Sequence, residues 1–424
     1  MSDTLRLATR GSDLALRQAA TVQEALSTTR RDVDLVEVST TGDELREELI
    51  HRLGKTGAFV RSLDEKVLSG EVDAAVHSLK DVPTDQPADL VVAAVPERAA
   101  PNDLLVTADG TTLEALPADA VVGTGSLRRG AQVLRERPDL TVEPIRGNVD
   151  TRIAKLLAGD LQTEHEARVE DDRRQKGEAG DEVETLGPGD VPTDDAVDDE
   201  EYDPEFEQDV DDWFDSLSEL ERRALEQDTD VHYDALVMAE AGLERAGLLH
   251  HVEYERLGTR EFVPAPGQGA LAITASDPEV VDTIRSALDF PRSRVETTVE
   301  RTVLNTLGGG CVAPVGVHAV LQGEYVHTEA VVLSRDGEEV VERSRDLAVE
   351  RHAREARELA REMSEDGAEE LIAAAKREDI GTADTTDEST GGPDTTAESE
   401  GDDHGTTAES VTDDEESTPE EGGE

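Results

Sequence analysis

The stretch Leu5-Arg-Leu-Ala-Thr-Arg-Gly-Ser-Asp-Leu-Ala-Leu16 decides how this chain is read. Its first half is a short apolar run that predicts a strand, and its second half opens a helical pattern over 13–25. Ser12 stands at the junction, where a serine oxygen accepts a hydrogen bond from an otherwise unpaired N–H of the first helical turn. A strand running straight into a capped helix is half of an α/β unit. The alternation recurs: strands are expected at 33–38, 73–77, 90–95, 120–123, 141–145, 235–238 and 270–273, and helices at 60–68, 128–136 and 149–157. That pattern predicts α/β layers around mostly parallel sheets. Beyond about 291 it changes to a helix, a glycine-rich loop, strands at 315–321 and 326–333 with a third near 338–345, and one long helix over 347–377. This last part reads as an α+β domain.

The charge balance is extreme, with 100 acidic against 41 basic residues and a net charge of −59. Only six of the basic residues are lysines. Such a chain is expected in the cytoplasm of a cell that keeps molar salt inside, where the Debye length falls to about 3 Å and self-repulsion is screened. The same field disfavours nucleic acid and anionic membranes as partners, so an anionic substrate must be held by local arginines. The amino terminus lacks a basic region followed by an apolar run, and no run of 18 apolar residues occurs, so a soluble intracellular protein is expected.

Two segments stand apart: 164–230 carries 28 acids and six bases, and 381–424 carries 16 acids and no base. The tail has no large apolar residue except Val411 and is expected to be disordered. Within the acidic segment one short helix over 211–225 is expected, gathering Trp213, Phe214, Leu217, Leu220 and Leu225 near one face of an otherwise disordered loop.

Open α/β sheets bind ligands beyond the carboxyl ends of their strands. Here those ends carry arginines and small polar residues: Arg10 and Ser12 after the first strand, Thr124, Ser126, Arg128 and Arg129 after the fifth, Arg146 and Arg152 after the sixth. Each alone reads as an ordinary cap beside a solvated arginine. Three at equivalent positions predict a polycarboxylate or phosphate site. At another strand end, Lys80 and Asp81 precede Pro83; Lys80 suits an anion, and Asp81 suits stabilising a cation or moving a proton. His77, in an apolar strand, reads as structural, and the histidines show no metal-ligand spacing, so no metal is expected. Cys311, the only cysteine, follows three glycines; it cannot form an intrachain disulfide and is a buried hydrophobe, a redox accident or a working nucleophile.

The chain resembles hydroxymethylbilane synthase, also called porphobilinogen deaminase. The blocks that carry the resemblance are Leu5–Leu16, Thr41-Gly-Asp43, Gly57-Ala-Phe-Val60, Ala74-Ala-Val-His-Ser-Leu-Lys-Asp-Val-Pro83, Gly123-Thr-Gly-Ser-Leu-Arg-Arg129, Ile145-Arg-Gly-Asn-Val-Asp-Thr-Arg152, the run 234–245, Pro264-Ala-Pro-Gly-Gln-Gly-Ala-Leu271, and Glu300-Arg301 through Gly309-Gly-Cys-Val-Ala-Pro314. The resemblance implies two α/β domains of the type II periplasmic-binding-protein kind and a smaller α+β carboxyl-terminal domain. Their expected limits are 1–99 with about 268–288, 102–265 with an acidic insertion at about 164–230, and 291–380, followed by the tail 381–424. It implies a dipyrromethane cofactor covalently attached to Cys311 and Asp81 as catalytic carboxylate. Ser78, Lys80, Asp81, Thr124, Ser126, Arg128, Arg129, Arg146 and Arg152 match cofactor contacts, and Arg10, Ser12 and Arg245 match contacts to porphobilinogen or the growing chain. A cytoplasmic monomer of tetrapyrrole and heme biosynthesis is the implied context. Two departures stand out: Lys55 lies one place early in its glycine run, and is left out of the site, and Gly125 replaces a common serine.

Two other readings are weaker. A small-anion receptor needs neither Cys311, Asp81 nor a third domain. A thiol hydrolase pairing Cys311 with His318 lacks support for the required geometry across Pro314.

Overall fold

The computed structural model describes residues 3–29, 31–38, 56–176, 205–227, 231–309 and 313–385. The blocks at Thr41–Asp43, Lys55, Cys311, residues 177–204 and 228–230 of the acidic segment and the tail from 386 lie outside the described residues. The described residues up to Ala383 belong to one compact unit.

The first lobe holds β1 (Asp3–Arg10), α1 (Asp13–Leu26), β2 (Arg31–Val38), α2 (Thr56–Leu68), β3 (Ala74–Ser78) and β4 (Val91–Ala94). The second holds β5 (Asp103–Thr107), β6 (Val121–Thr124), α3 (Leu127–Glu136), β7 (Thr141–Pro144), α4 (Val149–Gln175), α5 (Val210–Ser216), α6 (Glu219–Leu225), β8 (Ala235–Ala239), α7 (Glu240–Ala246) and β9 (Glu253–Arg256). The chain returns to the first lobe with β10 (Leu271–Ala275) and α8 (Pro278–Leu288). It ends in α9 (Pro291–Thr306), β11 (Val315–Gln322), β12 (Tyr325–Leu333), β13 (Val340–Ala348), α10 (His352–Met363) and α11 (Glu369–Thr385).

The two five-stranded sheets repeat one plan. Their orders are β2-β1-β3-β10-β4 and β7-β6-β8-β5-β9. In each, four strands run in one direction, and the strand that arrives from the other lobe inserts antiparallel one place from the edge. Two crossings exchange one strand each, which is the topology of a two-lobed, type II binding-protein fold. The expectation of mostly parallel sheets holds for four of the five strands in each, and the exchanged strand, antiparallel to both neighbours, is the exception.

Alternation along the strands explains the layering, since successive side chains point to opposite faces. Leu5 and Leu7 pack with Val22 and Leu26 of α1 and Ile284 of α8, while Ala8 packs with Leu63 and Val67 of α2. In the second lobe Leu105 and Val237 join one core, and Leu104, Val106 and Leu236 join the other. The carboxyl-terminal sheet, order β11-β12-β13, lays Val317, Val326 and Val332 against Val299 and Val303 of α9 and Leu359 of α10.

Three further expectations are revised. Strands β5 and β9 were not anticipated. The acidic segment is more ordered than expected at both ends: α4 runs on to Gln175, and two helices replace the single one. Leu217 is extended between them and Ser218 starts a capping box with Glu221, so Trp213 is buried while Phe214 is exposed. Finally, no single helix spans 347–377. Leu347 still belongs to β13, and a turn at Gly367, with φ of 106°, separates α10 from α11.

The crossings and the third sheet meet at a buried joint. Arg98 donates through both terminal nitrogens to Glu300 (2.8 and 3.1 Å) and through Nε to the Gln268 carbonyl (2.8 Å). Glu300, fully buried, also accepts from Gly267 N (2.7 Å) and Ala319 N (3.0 Å). Gly269 closes the joint with φ of 83°, and a Cβ there would lie 2.5 Å from the Ala99 carbonyl oxygen. One carboxylate thus ties both crossings to α9 and β11, and each of its contacts offsets the cost of burying the charge.

Candidate functional site

Serine caps form as the sequence predicts. Ser12 Oγ accepts from Ala15 N (3.4 Å) and Ser126 Oγ from Arg129 N (3.5 Å), so α1 and α3 both begin beside arginine-bearing strand ends. Asn148 precedes α4 without a side-chain cap bond. Thr124 is buried and accepts from Ser126 N at 3.3 Å, which shapes the turn into α3.

Residues from both lobes converge at the ends of β3 and β6. Lys80 and Asp81 sit in a single 3-10 turn, Leu79–Asp81, directly after Ser78. Burial pushes the half-buried Lys80 ammonium below its usual value; Asp81 opposes the push, Arg129 and Arg128 add to it, and Asp103 opposes it. Those influences bring Lys80 into the field of the second lobe's arginines. Arg152 is also held below its usual value, by burial first and by Arg129 second. Its Nε donates to the Gly147 carbonyl (2.8 Å), and a Cβ on Gly125 would lie 3.3 Å from both its terminal nitrogens. Glycine at that position therefore leaves room for the guanidinium.

Arg128 and Arg129 differ in what they have left to offer. Arg128 donates to Gln132 Oε1 (2.8 Å), Val263 O (2.7 Å), Asp103 Oδ2 (2.8 Å) and Gln268 Oε1 (3.3 Å), and its buried Nε has no hydrogen-bond partner among the described residues. Arg129 reaches Asp103 Oδ1 (2.9 Å) and, more loosely, Gln268 Oε1 (3.3 Å) and Val237 O (3.5 Å). Burial would raise the Asp103 carboxyl, but the two guanidiniums outweigh it and hold it below the usual range. The pair is thus fixed from below by an anion the sequence reading did not identify.

The other candidates are placed less centrally. Arg146 is exposed after β7, and Arg10 is half-buried; both interact with neighbours. Arg245, on α7, donates to the Gly269 carbonyl (2.7 Å) and shares a second pocket with Arg17 and Gln18 of α1. It therefore joins the joint rather than the Lys80 cluster. His77 is structural as expected: buried, its Nε2 lies 3.0 Å from Asp64 Oδ1 and 3.1 Å from Thr274 Oγ1.

Arg301 was missed as a functional residue. From α9 it donates to the carbonyls of Leu79 (3.2 Å), Val82 (2.7 Å) and Pro83 (2.8 Å), so it clamps the turn holding Lys80 and Asp81. The adjacent Glu300-Arg301 on one helix was the available signal, since its two charges serve the joint and the turn. Lys376 of α11 likewise donates to the Gly308 carbonyl (2.8 Å), fixing the end of α9 before the Cys311 loop.

Comparison with known proteins identifies the family. The family model for the porphobilinogen deaminase dipyrromethane cofactor binding domain matches residues 5–167 and 218–281, and that for the carboxyl-terminal domain of porphobilinogen deaminase matches 295–371. A probable porphobilinogen deaminase of Halobacterium salinarum is 56% identical over 393 residues, covering 89% of this chain and 99% of that one. The porphobilinogen deaminase of Sulfurimonas denitrificans is 34% identical over 376 residues, covering 88% and 97%. Among solved structures, the methionine-binding protein MetQ aligns over 68% of this chain and 90% of that one, with 11% identity and a TM-score of 0.32.

Proposed function

The chain belongs to the porphobilinogen deaminase family, and from that premise we propose which of its residues carry the reaction. The enzyme is a transferase: four porphobilinogen molecules condense head to tail with loss of ammonia, and water releases linear hydroxymethylbilane for tetrapyrrole synthesis. Dipyrromethane, when bound through Cys311, supplies the primer from which the product grows.

The residues present suit a group with several carboxylates. Lys80, Arg129 and Arg152 concentrate positive charge at one strand-end cluster, Arg128 keeps a buried N–H without a partner among the described residues, and Gly125 leaves space against Arg152. Planar guanidiniums match carboxylates bidentately, which favours arginine here. In this reading Ser78, Thr124, Ser126 and Arg146 complete the cofactor contacts, and Arg10, Ser12 and Arg245 serve the incoming pyrrole. Asp81, beside Lys80, stabilises the positive charge that develops as ammonia leaves and accepts or returns a proton at its carboxylate. Arg301 keeps that carboxylate in place by holding the carbonyls on both sides of it.

The observation that carries this assignment is the loop joining the Lys80–Asp81 turn to the second lobe's arginines: a Cβ on Gly267 would lie 3.3 Å from Lys80 N, and Gln268 Oε1 accepts from Arg128 and Arg129 at 3.3 Å. The crossings support domain limits of 1–99 with about 268–288, 102–265 and 291–380. The acidic composition supports a halophilic cytoplasmic enzyme, and we infer a monomer that binds neither nucleic acid nor membrane. Incubation with porphobilinogen in molar KCl, with uroporphyrin read after acid and oxidation, tests the activity. Intact mass tests the attachment: the active protein carries two linked pyrroles that Cys311→Ser lacks, and an unmodified mass in active protein overturns it.

A further inference from the structure

Behind the turn that carries Asp81 lies a pocket of about 330 Å³ between the first lobe and α9. It is lined in part by Leu79, Thr84, Arg301, Thr302, Asn305 and Arg357, and by no acidic residue. In a chain with 100 acids among 424 residues, an acid-free wall bearing arginines is a local reversal of field.

The arginines differ in their compensation. A third one, Arg294, is neutralised by Asp289 at 2.6 Å. Arg301 donates only to main-chain carbonyls, and no carboxylate among the described residues pairs with it. Burial pushes its guanidinium below the usual value, with no opposing charge nearby. Removing a charge from water is costly unless a partner compensates it. Arg357, exposed on α10, also has no ion pair among the described residues. The side chains of Thr84, Thr302 and Asn305 make no hydrogen bond among the described residues either, so their donors are available.

We propose that this pocket is a binding site for one small monovalent anion, held by Arg301 and Arg357 with help from the hydroxyls of Thr84 and Thr302. The anion supplies the missing counter-charge to Arg301, whose carbonyl bonds fix the turn at Asp81. Site occupancy is thereby coupled to the carboxylate that the reaction uses. A halide from the salt and a small organic carboxylate share the required chemistry.

The test uses the full chain at constant ionic strength. Crystals soaked in sodium bromide show an anomalous peak in this pocket within hydrogen-bond distance of Arg301. In solution, chloride-35 line broadening titrates one site, and Arg357→Gln weakens it roughly tenfold, as expected for loss of a charged hydrogen-bond donor. Thr302→Val, which keeps shape, weakens it less but measurably. Acetate that displaces the broadening identifies a carboxylate-accepting site, and acetate without effect identifies a halide site. No bromide peak in the pocket overturns the proposal. So does broadening that neither variant changes, which would mark an adventitious ion only.

Discussion

At the scale of single residues, the proposed chemistry of Asp81 and the proposed positioning role of Arg301 call for different substitutions. Asp81→Asn keeps size and polarity but removes the charge that stabilises a cation, so turnover of porphobilinogen should fall by roughly 10²–10⁴ with the Cys311 adduct retained. Near-normal turnover in a variant of normal mass would remove Asp81 from the chemistry. Arg301→Lys keeps the charge but loses the fork that spans Leu79, Val82 and Pro83. It should lower kcat about tenfold or more with KM nearly unchanged, because the turn and not the binding arginines is disturbed; an effect confined to KM would argue for direct substrate contact. His318, on β11, is a pH-sensitive residue outside the site. Burial, and then Arg98, lower it from 6.5 to about 4. The folded state thus binds fewer protons than the unfolded one between those values, so its contribution is intact above about pH 6.5 and is lost as pH falls toward 4. The full cost is on the order of 3 kcal/mol. Denaturation midpoints from pH 7.5 to 4.5 should fall more steeply for the native chain than for His318→Gln, and parallel profiles would contradict this.

At the scale of elements, what could be read from sequence depended on whether the signal was local. The βα units were legible because apolar alternation and serine caps lie within one stretch, as at Leu5–Leu16 and Gly123–Arg129. Strand β5 was not, because Asp103–Thr107 becomes a strand by inserting between β8 and β9, a tertiary event. The role of Arg128 was obscured in the same way: its partner Asp103 sits 25 residues earlier and its partner Gln268 sits 140 later. Lys80 and Asp81 were legible as charged residues at a strand end, whereas the clamp from Arg301 crosses 218 residues or more. The break between α5 and α6 was locally readable, since Ser218 and Glu221 form a capping box. The acidic segment shows what such an element can do. Arg168 stacks on Phe206 (4.3 Å) and Trp213 (5.1 Å), and Gln162 donates to the carbonyls of Leu225 (3.3 Å) and Gln227 (2.8 Å). With α4 rising about 1.5 Å per residue, Gln162 lies roughly 15 Å and Arg168 roughly 24 Å along the helix from Arg152, while Arg223 of α6 reaches back to Asp150 at 3.4 Å. Asp171 accepts from Glu205 N at 2.9 Å, so the two sides of 177–204 are already close. Replacing 177–204 by a short Gly/Ser linker should leave kcat within about twofold and unfolding within about 1 kcal/mol. Loss of activity with normal folding would assign those residues a functional role. Deleting the whole of 164–230 should instead destabilise the second lobe, because it removes the end of α4, Trp213 and α6.

At the scale of the whole molecule, the question is where the salt dependence of so acidic a chain resides. Of the −59, residues 177–204 carry −12 and 384–424 carry −16, which leaves −31 on the remainder. Charges on a compact body repel at short range, and at 0.1 M salt the Debye length of about 10 Å lets neighbouring carboxylates act on one another. At 1 M it is about 3 Å and most of that repulsion is gone. Surface ion pairs work in the opposite direction, since they weaken with salt, but exposed pairs contribute at most about 1 kcal/mol each. Repulsion therefore dominates, and thermal unfolding midpoints should rise steeply from 0.1 to 1 M KCl before levelling. A chain shortened to 1–383 with 177–204 replaced keeps −31 of the charge, so most of its salt requirement should persist. If the shortened protein became indifferent to salt, the requirement would belong to the removed segments and not to the enzyme's surface. Comparing KCl with a salt whose anion is too large for the Arg301 pocket separates the remaining contribution. Screening depends on ionic strength alone, whereas a specific anion site adds stabilisation that follows ligand concentration over its dissociation constant. Equal midpoints in both salts at matched ionic strength would leave screening as the whole explanation.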